Sequence, residues 1–306
     1  MAADIIELLA AAPAASSDDV PVFVDATLGG GGHAEALLDT VEHCRLIGLD
    51  RDETALAAAT SRLSRFGDRF ESHHVRFDRI DEVVEPGTTA GVLFDLGVSS
   101  HHLDVAARGF SFRNDGPLDM RMDRSDSLSA HDVVNTYDQK HLAAILRRNA
   151  DERFAGRIAG AIVAARPIDG TIRLAEVVTG AIPAPALRNN RQPAARTFQA
   201  LRIEVNSELD LLEPGLRVAI DSLATGGRIA VLSYHSGEDR IVKGVLRDES
   251  RVGPATRPDL PPPTGVEPRL RLLFSGGRTA GEAEVAVNSR AASARLRAGE
   301  RTGVTT

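Results

Sequence analysis

The sequence predicts an α/β protein, with a parallel sheet buried on both faces and a helical segment inserted into it. Three observations carry this. Short apolar runs alternate with helical stretches over the first hundred residues, and turn residues separate them. From about 104 to 199 that alternation stops and helical spacing takes over. Strand-like runs return only at 228–233.

Residues 22–26 (VFVDA) read as the first strand, followed by a glycine cluster and a helix over 33–38. Residues 45–49 (RLIGL) are the second strand, ending at Asp50, and 54–63 an alanine-rich helix. The third strand, 70–75, is weaker; the fourth is 91–96 (GVLFDL). Four strands joined by crossovers imply a parallel sheet. Helices follow at 130–135, 140–148, 151–165, 171–181 and 197–212. Six prolines within 249–268 mark a loop, and 269–274 and 289–297 read as two edge strands. The resulting organisation is a discontinuous α/β domain, 1–103 with 200–306, around an inserted helical domain, 104–199.

A chain of 306 residues accommodates two such units at roughly 150 residues per domain. The composition, 42% hydrophobic and 26% charged, excludes wholesale disorder. No run of about 18 apolar residues exists, so no membrane helix is expected. The acidic start argues against a secretory signal, and the expectation is a cytoplasmic protein. Cys44 stands alone, which excludes an intramolecular disulfide or a cysteine-based zinc site. The histidine pairs 73–74 and 101–102 point to opposite faces if on strands, and no metal is expected. A net charge of −7 excludes nucleic-acid binding by bulk basicity. Basic residues concentrate locally, however: 187–202 carries four Arg and no acid, and 269–301 seven Arg against three Glu. Such segments can hold RNA on an acidic chain.

The first chemical signal is the turn Asp25-Ala26-Thr27-Leu28-Gly29-Gly30-Gly31-Gly32-His33. Glycines between a strand and a helix start let the backbone approach a ligand, with the helix N-terminus facing it. Asp50 ends the next strand, where an acid can accept both ribose hydroxyls of an adenosine. This fits a dinucleotide or S-adenosylmethionine (SAM). Asp25 would repel a pyrophosphate and attract a methionine ammonium, and nothing basic lines the turn, so SAM is favoured. A turn that only joins strand to helix is the bland alternative.

The fourth strand ends at Asp95, on the side where ligands of open parallel sheets bind. An acceptor there can orient an amino group toward a methyl. In the stretch 108–123 (RGFSFRNDGPLDMRMD), Phe110 or Phe112 can stack on a base or simply pack. After the fifth strand, Ser236 with Asp239 reads as a helix capping box, leaving His235 as a possible polar contact.

The blocks DATLGGGGHAE, LIGLDRD, FDLGVSS, RGFSFRNDGPLDMRMD, DERFAGRIAGAIV, RTFQALRIEVNSEL, GGRIAVLSYHSGEDRIVK and NSRAASARLR follow one another from residue 22 to about 300. In this order they resemble the ribosomal RNA small subunit methyltransferase H (RsmH/MraW) family. The resemblance implies a Rossmann-like SAM-dependent methyltransferase domain with an inserted all-helical substrate-recognition domain. It implies SAM-dependent N4-methylation of a cytidine in the decoding centre of 16S rRNA, near the P site. The partner would be 16S rRNA in the small ribosomal subunit, and the enzyme a monomer or homodimer.

Carried over residue by residue, the SAM contacts are Gly31, Gly32 and His33 in the turn, Asp50 at the ribose, Phe77 near the adenine and Asp95 near the methionine end. Asp95 is also the expected catalytic residue. A further contact falls on His102, where the family usually has Gln. Other departures are His101 for Pro, Gln192 for His and Gly237 for Leu. The family's His-x-Pro-Val segment ahead of the first helix does not precede this start, so a late start or a missing piece beside the cofactor is expected. Arg188, Arg191, Arg196 and the C-terminal arginines are expected to grip phosphates. The competing readings are a catalytically weak rRNA- or ribosome-assembly-binding protein of the same fold, and a nicotinamide oxidoreductase using the same glycine turn.

Overall fold

The computed structural model describes residues 1–13, 20–188, 192–251 and 268–303. In chain order the elements begin with α1 (Ala2–Ala10), β1 (Val22–Asp25), α2 (Gly32–Thr40), β2 (Arg45–Asp50), α3 (Glu53–Leu63), β3 (Phe70–His74) and β4 (Thr89–Asp95). Seven helices follow: α4 (Ser100–Asp104), α5 (Ala130–Thr136), α6 (Gln139–Ala150), α7 (Ala155–Ala164), α8 (Thr171–Ala181), α9 (Ala184–Leu187) and α10 (Ala195–Asn206). The chain closes with α11 (Glu208–Ser222), β5 (Leu223–Ser233), α12 (Ser236–Glu249), β6 (Leu270–Leu272), β7 (Arg278–Thr279), α13 (Glu282–Val287) and β8 (Arg295–Arg301). They divide into two compact units, Met1–Gly97 with Asp210–Thr306, and Val98–Leu209.

The first unit is a Rossmann-like sheet of order β3-β2-β1-β4-β5-β8-β6, with β7 also on β8. The five strands β3 to β5 run parallel, and β8 is antiparallel to β5. Successive strand residues point to opposite faces. Phe23, Leu46 and Leu93 therefore join Ile5, Leu9, Leu38 and Leu63 in one core. Val24, Ile47, Val92 and Phe94 join Leu216, Ile220, Val242 and Leu246 in the other. Both faces are covered, as a parallel sheet requires. The apolar N-terminal stretch is α1, whose Ile5, Ile6 and Leu9 are buried. The chain passes outward from β1 to β3 and returns to β4 beside β1, so the C-terminal ends of β1 and β4 flank a topological switch point.

The second unit is helical. Val133, Leu142, Leu146, Ile158, Leu174 and Leu201 fill its core. The 108–123 stretch folds into that core: Leu118 and Met120 are fully buried. Arg108 donates to the carbonyls of Arg121 and Met122 at 2.9 and 3.0 Å. A Cβ on Gly109 would stand 2.2 Å from the Pro117 carbonyl, and its φ of +73° suits glycine alone. Asn206 holds the loop from α10, accepting the Met122 N–H and donating to the Met120 carbonyl, both at 2.8 Å.

Several sequence expectations are corrected. The helix read over 197–212 is two helices, because Ser207 takes left-handed φ of 51° and ends α10. The 151–165 helix starts at Ala155; Asp151 is instead the left-handed cap of α6. The segment 289–297 is a 3₁₀ turn, Ser289–Ser293, followed by β8, which lies inside the sheet between β5 and β6. Most of the proline-rich loop, 252–267, lies outside the described residues.

Candidate functional site

The turn after β1 is built so that its glycines differ in purpose. Gly31 caps α2 with φ of 76°, and a Cβ there would stand only 3.1 Å from Leu63 and 3.3 Å from Ala59 of α3. A Cβ on Gly30 or Gly32 would meet nothing within 4 Å. Open space therefore adjoins the turn and the N-terminus of α2, where a small ligand fits without displacing protein atoms. Asp50 binds the turn from β2: its Oδ2 accepts the Gly29 N–H at 2.8 Å and its Oδ1 the Asp52 N–H at 2.9 Å.

The end of β4 carries Asp95. Its backbone N–H donates to Thr27 Oγ1 at 2.6 Å, tying β4 to the turn. Its Oδ1 accepts the Tyr234 hydroxyl at 2.7 Å, and its Oδ2 faces His33 Nε2 at 3.3 Å. Asp25 is buried below and accepts the Thr27 N–H at 3.2 Å. Burial pushes its carboxyl up to about 7, against the pull of His33 and the Thr27 N–H. Burial alone would lower the His33 imidazole, but the Asp95 and Asp25 carboxylates outweigh it and its pKa is raised. His33 Nδ1 is buried with no hydrogen-bond partner. Gly31, Gly32, His33, Asp50 and Asp95 thus gather at one end of the sheet.

Phe77 opens the 3₁₀ turn Phe77–Glu82, edge-on to Phe94 with ring centroids 5.7 Å apart, and packs against Gly215 of α11. His102 belongs to the helical unit. There it is buried, takes the Ser99 N–H on Nδ1 at 3.3 Å, and lies on the Phe110 ring at 4.8 Å. Phe110 is accordingly a core residue without the free stacking face that the sequence allowed, and Phe112, half-buried, packs against Phe198. The α12 cap is His235, not Ser236: its extended backbone brings Nδ1 to the Gly237 and Glu238 N–H groups, and Glu238 returns the bond.

Three of the C-terminal arginines are engaged within their own unit. Arg297 forms a bidentate pair with Asp239 at 2.8 and 3.1 Å, Arg271 pairs with Glu300 at 2.5 Å, and Arg269 pairs with Asp221 and Glu249. These guanidinium groups answer acids of their own unit. In the helical unit Arg188 is exposed, while Arg191 lies outside the described residues. Arg196 donates to the Asp151 carbonyl at 3.1 Å and, with Glu152, Arg153, Phe154, Ile182 and Gln192, lines an open cleft of about 570 Å³. No helix among the described residues is long and apolar enough to cross a membrane.

Sequence reading missed Tyr234 and Thr27. The signal for Tyr234 was its place two residues beyond Leu232, the parallel partner of Asp95.

Known proteins agree in one direction. A ribosomal RNA small subunit methyltransferase H from Salinispora arenicola (strain CNS-205) is 53% identical over 303 residues, 97% of this chain and 80% of its own. The protein of the same name from Frankia alni is 53% identical over 306 residues, covering 97% and 93%. A solved rRNA methylase from Streptococcus thermophilus aligns over 98% of this chain and 95% of its own, at 14% identity and a TM-score of 0.44. The fold stands on its strand order. The family model described as the MraW methylase family matches residues 1–302, and the chain belongs to that family.

Proposed function

We propose that this protein transfers the methyl group of SAM to the N4 amino group of a cytidine in the decoding centre of 16S rRNA, acting in the cytoplasm on the small ribosomal subunit. The observation that carries the reading is the grouping of the open glycine turn, Asp50 and the Asp95–His33 pair at the switch point of the sheet. The names of the relatives from Salinispora and Frankia support the rRNA substrate.

The sites divide as follows. Gly31 and Gly32 with the α2 N-terminus receive the cofactor's amino-acid end, and Asp25 answers its ammonium. Asp50 accepts the ribose hydroxyls, and Phe77 lies by the adenine. When bound, SAM supplies an electrophilic methyl. Asp95 acts as the acceptor that holds the substrate amino group, whose lone pair is delocalised and must be aimed. The 104–199 domain serves as the substrate-recognition domain, with Arg188, Arg191 and Arg196 meeting phosphates.

The test is thermal unfolding with S-adenosylhomocysteine (SAH) or NADH, followed by labelled methyl transfer from SAM to small-subunit RNA. Stabilisation by SAH alone and label in the RNA are expected. Stabilisation by NADH alone overturns the cofactor; RNA binding without SAH stabilisation favours a non-catalytic rRNA binder.

A further inference from the structure

We propose that Tyr234 is a positioning residue of this site: its hydroxyl fixes the Asp95 carboxylate and makes that orientation independent of the protonation of His33. The inference rests on the reading of Asp95 as the acceptor of the substrate amino group. Neither the family resemblance nor any motif singled out Tyr234.

The geometry is complete on three sides. Tyr234 Oη donates to Asp95 Oδ1 at 2.7 Å, His33 Nε2 faces Oδ2 at 3.3 Å, and Thr27 Oγ1 anchors the Asp95 backbone at 2.6 Å. Tyr234 is itself held. Its backbone N–H donates to Glu238 Oε2 at 2.8 Å, and its ring lies 3.8 Å from where a Gly97 Cβ would stand. A carboxylate gripped on both oxygens keeps its remaining lone pairs in a fixed direction, which is the requirement for aiming a weakly nucleophilic amine.

The two donors differ in chemistry. Imidazole changes charge near neutral pH, and its Nε2 carries a proton in only one neutral tautomer. The buried Nδ1 of His33 has no partner, so nothing beyond Asp95 itself holds the ring in the Nε2–H tautomer. The phenol has no such ambiguity: burial and the Asp95 charge raise its pKa, so it stays a donor throughout the working range. Other charges near the two donors are Asp25 of β1, Glu238 of α12, Glu284 of α13 and the Met1 amino group. Remove the hydroxyl, and His33 alone holds Asp95, well when cationic and poorly when neutral.

The experiment is Tyr234→Phe, which keeps the ring against Gly97. Two quantities are read from the full chain: kcat for methyl transfer across pH 6 to 9, and the His33 titration by NMR without substrate. Thermal unfolding with SAH confirms that the variant is folded. The expected result is a kcat loss of roughly tenfold at pH 8.5, within about threefold of wild type at pH 6, with KM for RNA unchanged. His33 should titrate higher in the variant, because Asp95 loses a donor and becomes a stronger acceptor for it. A uniform loss at every pH with an unmoved His33 titration overturns the proposal. So does a wild-type profile. Absence of methyl transfer by the wild type removes instead the reading on which the proposal rests.

Discussion

Asp50 accepts the backbone N–H of Gly29 at 2.8 Å across 21 residues of chain, so the residue expected at the ribose also holds the glycine turn in shape. Asp50→Ala should therefore do two things at once. SAH affinity should fall about a hundredfold, from lost hydrogen bonds to a charged acceptor. The melting temperature without ligand should fall as well. Calorimetric titration and thermal unfolding separate the two; an unchanged unliganded melting temperature would show that the turn does not need Asp50.

Gly31 and Gly32 are neighbours with opposite expected behaviour. Gly31→Ala places a Cβ at left-handed φ, 3.1 Å from Leu63, and should lower the melting temperature by about 4 °C. Gly32→Ala meets no protein atom. It should melt like wild type yet bind SAH roughly tenfold more weakly, a loss of about 1.4 kcal/mol that isothermal titration reads directly.

Asp25 makes stability depend on pH. Its carboxyl, lifted to about 7 by burial, keeps in the folded state a proton that the unfolded chain loses near pH 4. Stability therefore falls as pH rises from about 4 to 7. His33 adds to the trend: its raised pKa contributes stability below its unfolded value of about 6.5, lost as pH rises through the folded one. Asp25→Asn removes the first contribution, so its melting temperature should gain on wild type more at pH 8 than at pH 5. An equal difference at both pH values would mean that Asp25 is ionised throughout.

In the helical unit Asn206 makes two of the bonds that hold the loop carrying Met120 and Met122. Asn206→Ala deletes two 2.8 Å bonds and strands a buried N–H and a buried carbonyl. The expected cost is about 2 to 4 kcal/mol, read as a lower urea midpoint.

What was legible in the sequence followed from local pattern. The first four strands alternate or run apolar between glycine and acid punctuation, so β1, β2, β3 and β4 lay close to their true bounds. The turn glycines and Asp50 were legible for the same reason. The rest depended on partners far along the chain. The apolar spacing of 197–212 continues through Ser207, and only the structure shows where the helix breaks. Arg297 looked free because its acid, Asp239, lies 58 residues away. Phe110 was ambiguous until its stack on His102 placed it inside. Tyr234 became visible only through the parallel register that sets Leu232 beside Asp95. His235 displaced Ser236 as the cap because backbone conformation, not side-chain preference, chose the position.

The most direct measurement is methyl transfer from labelled SAM to small ribosomal subunits from cells lacking this enzyme, with the RNA digested and read by nucleoside mass spectrometry. The account predicts label in N4-methylcytidine, lost when Asp95 is replaced by Asn. Label confined to another nucleoside, or N4-methylcytidine formed equally by Asp95→Asn, would contradict it.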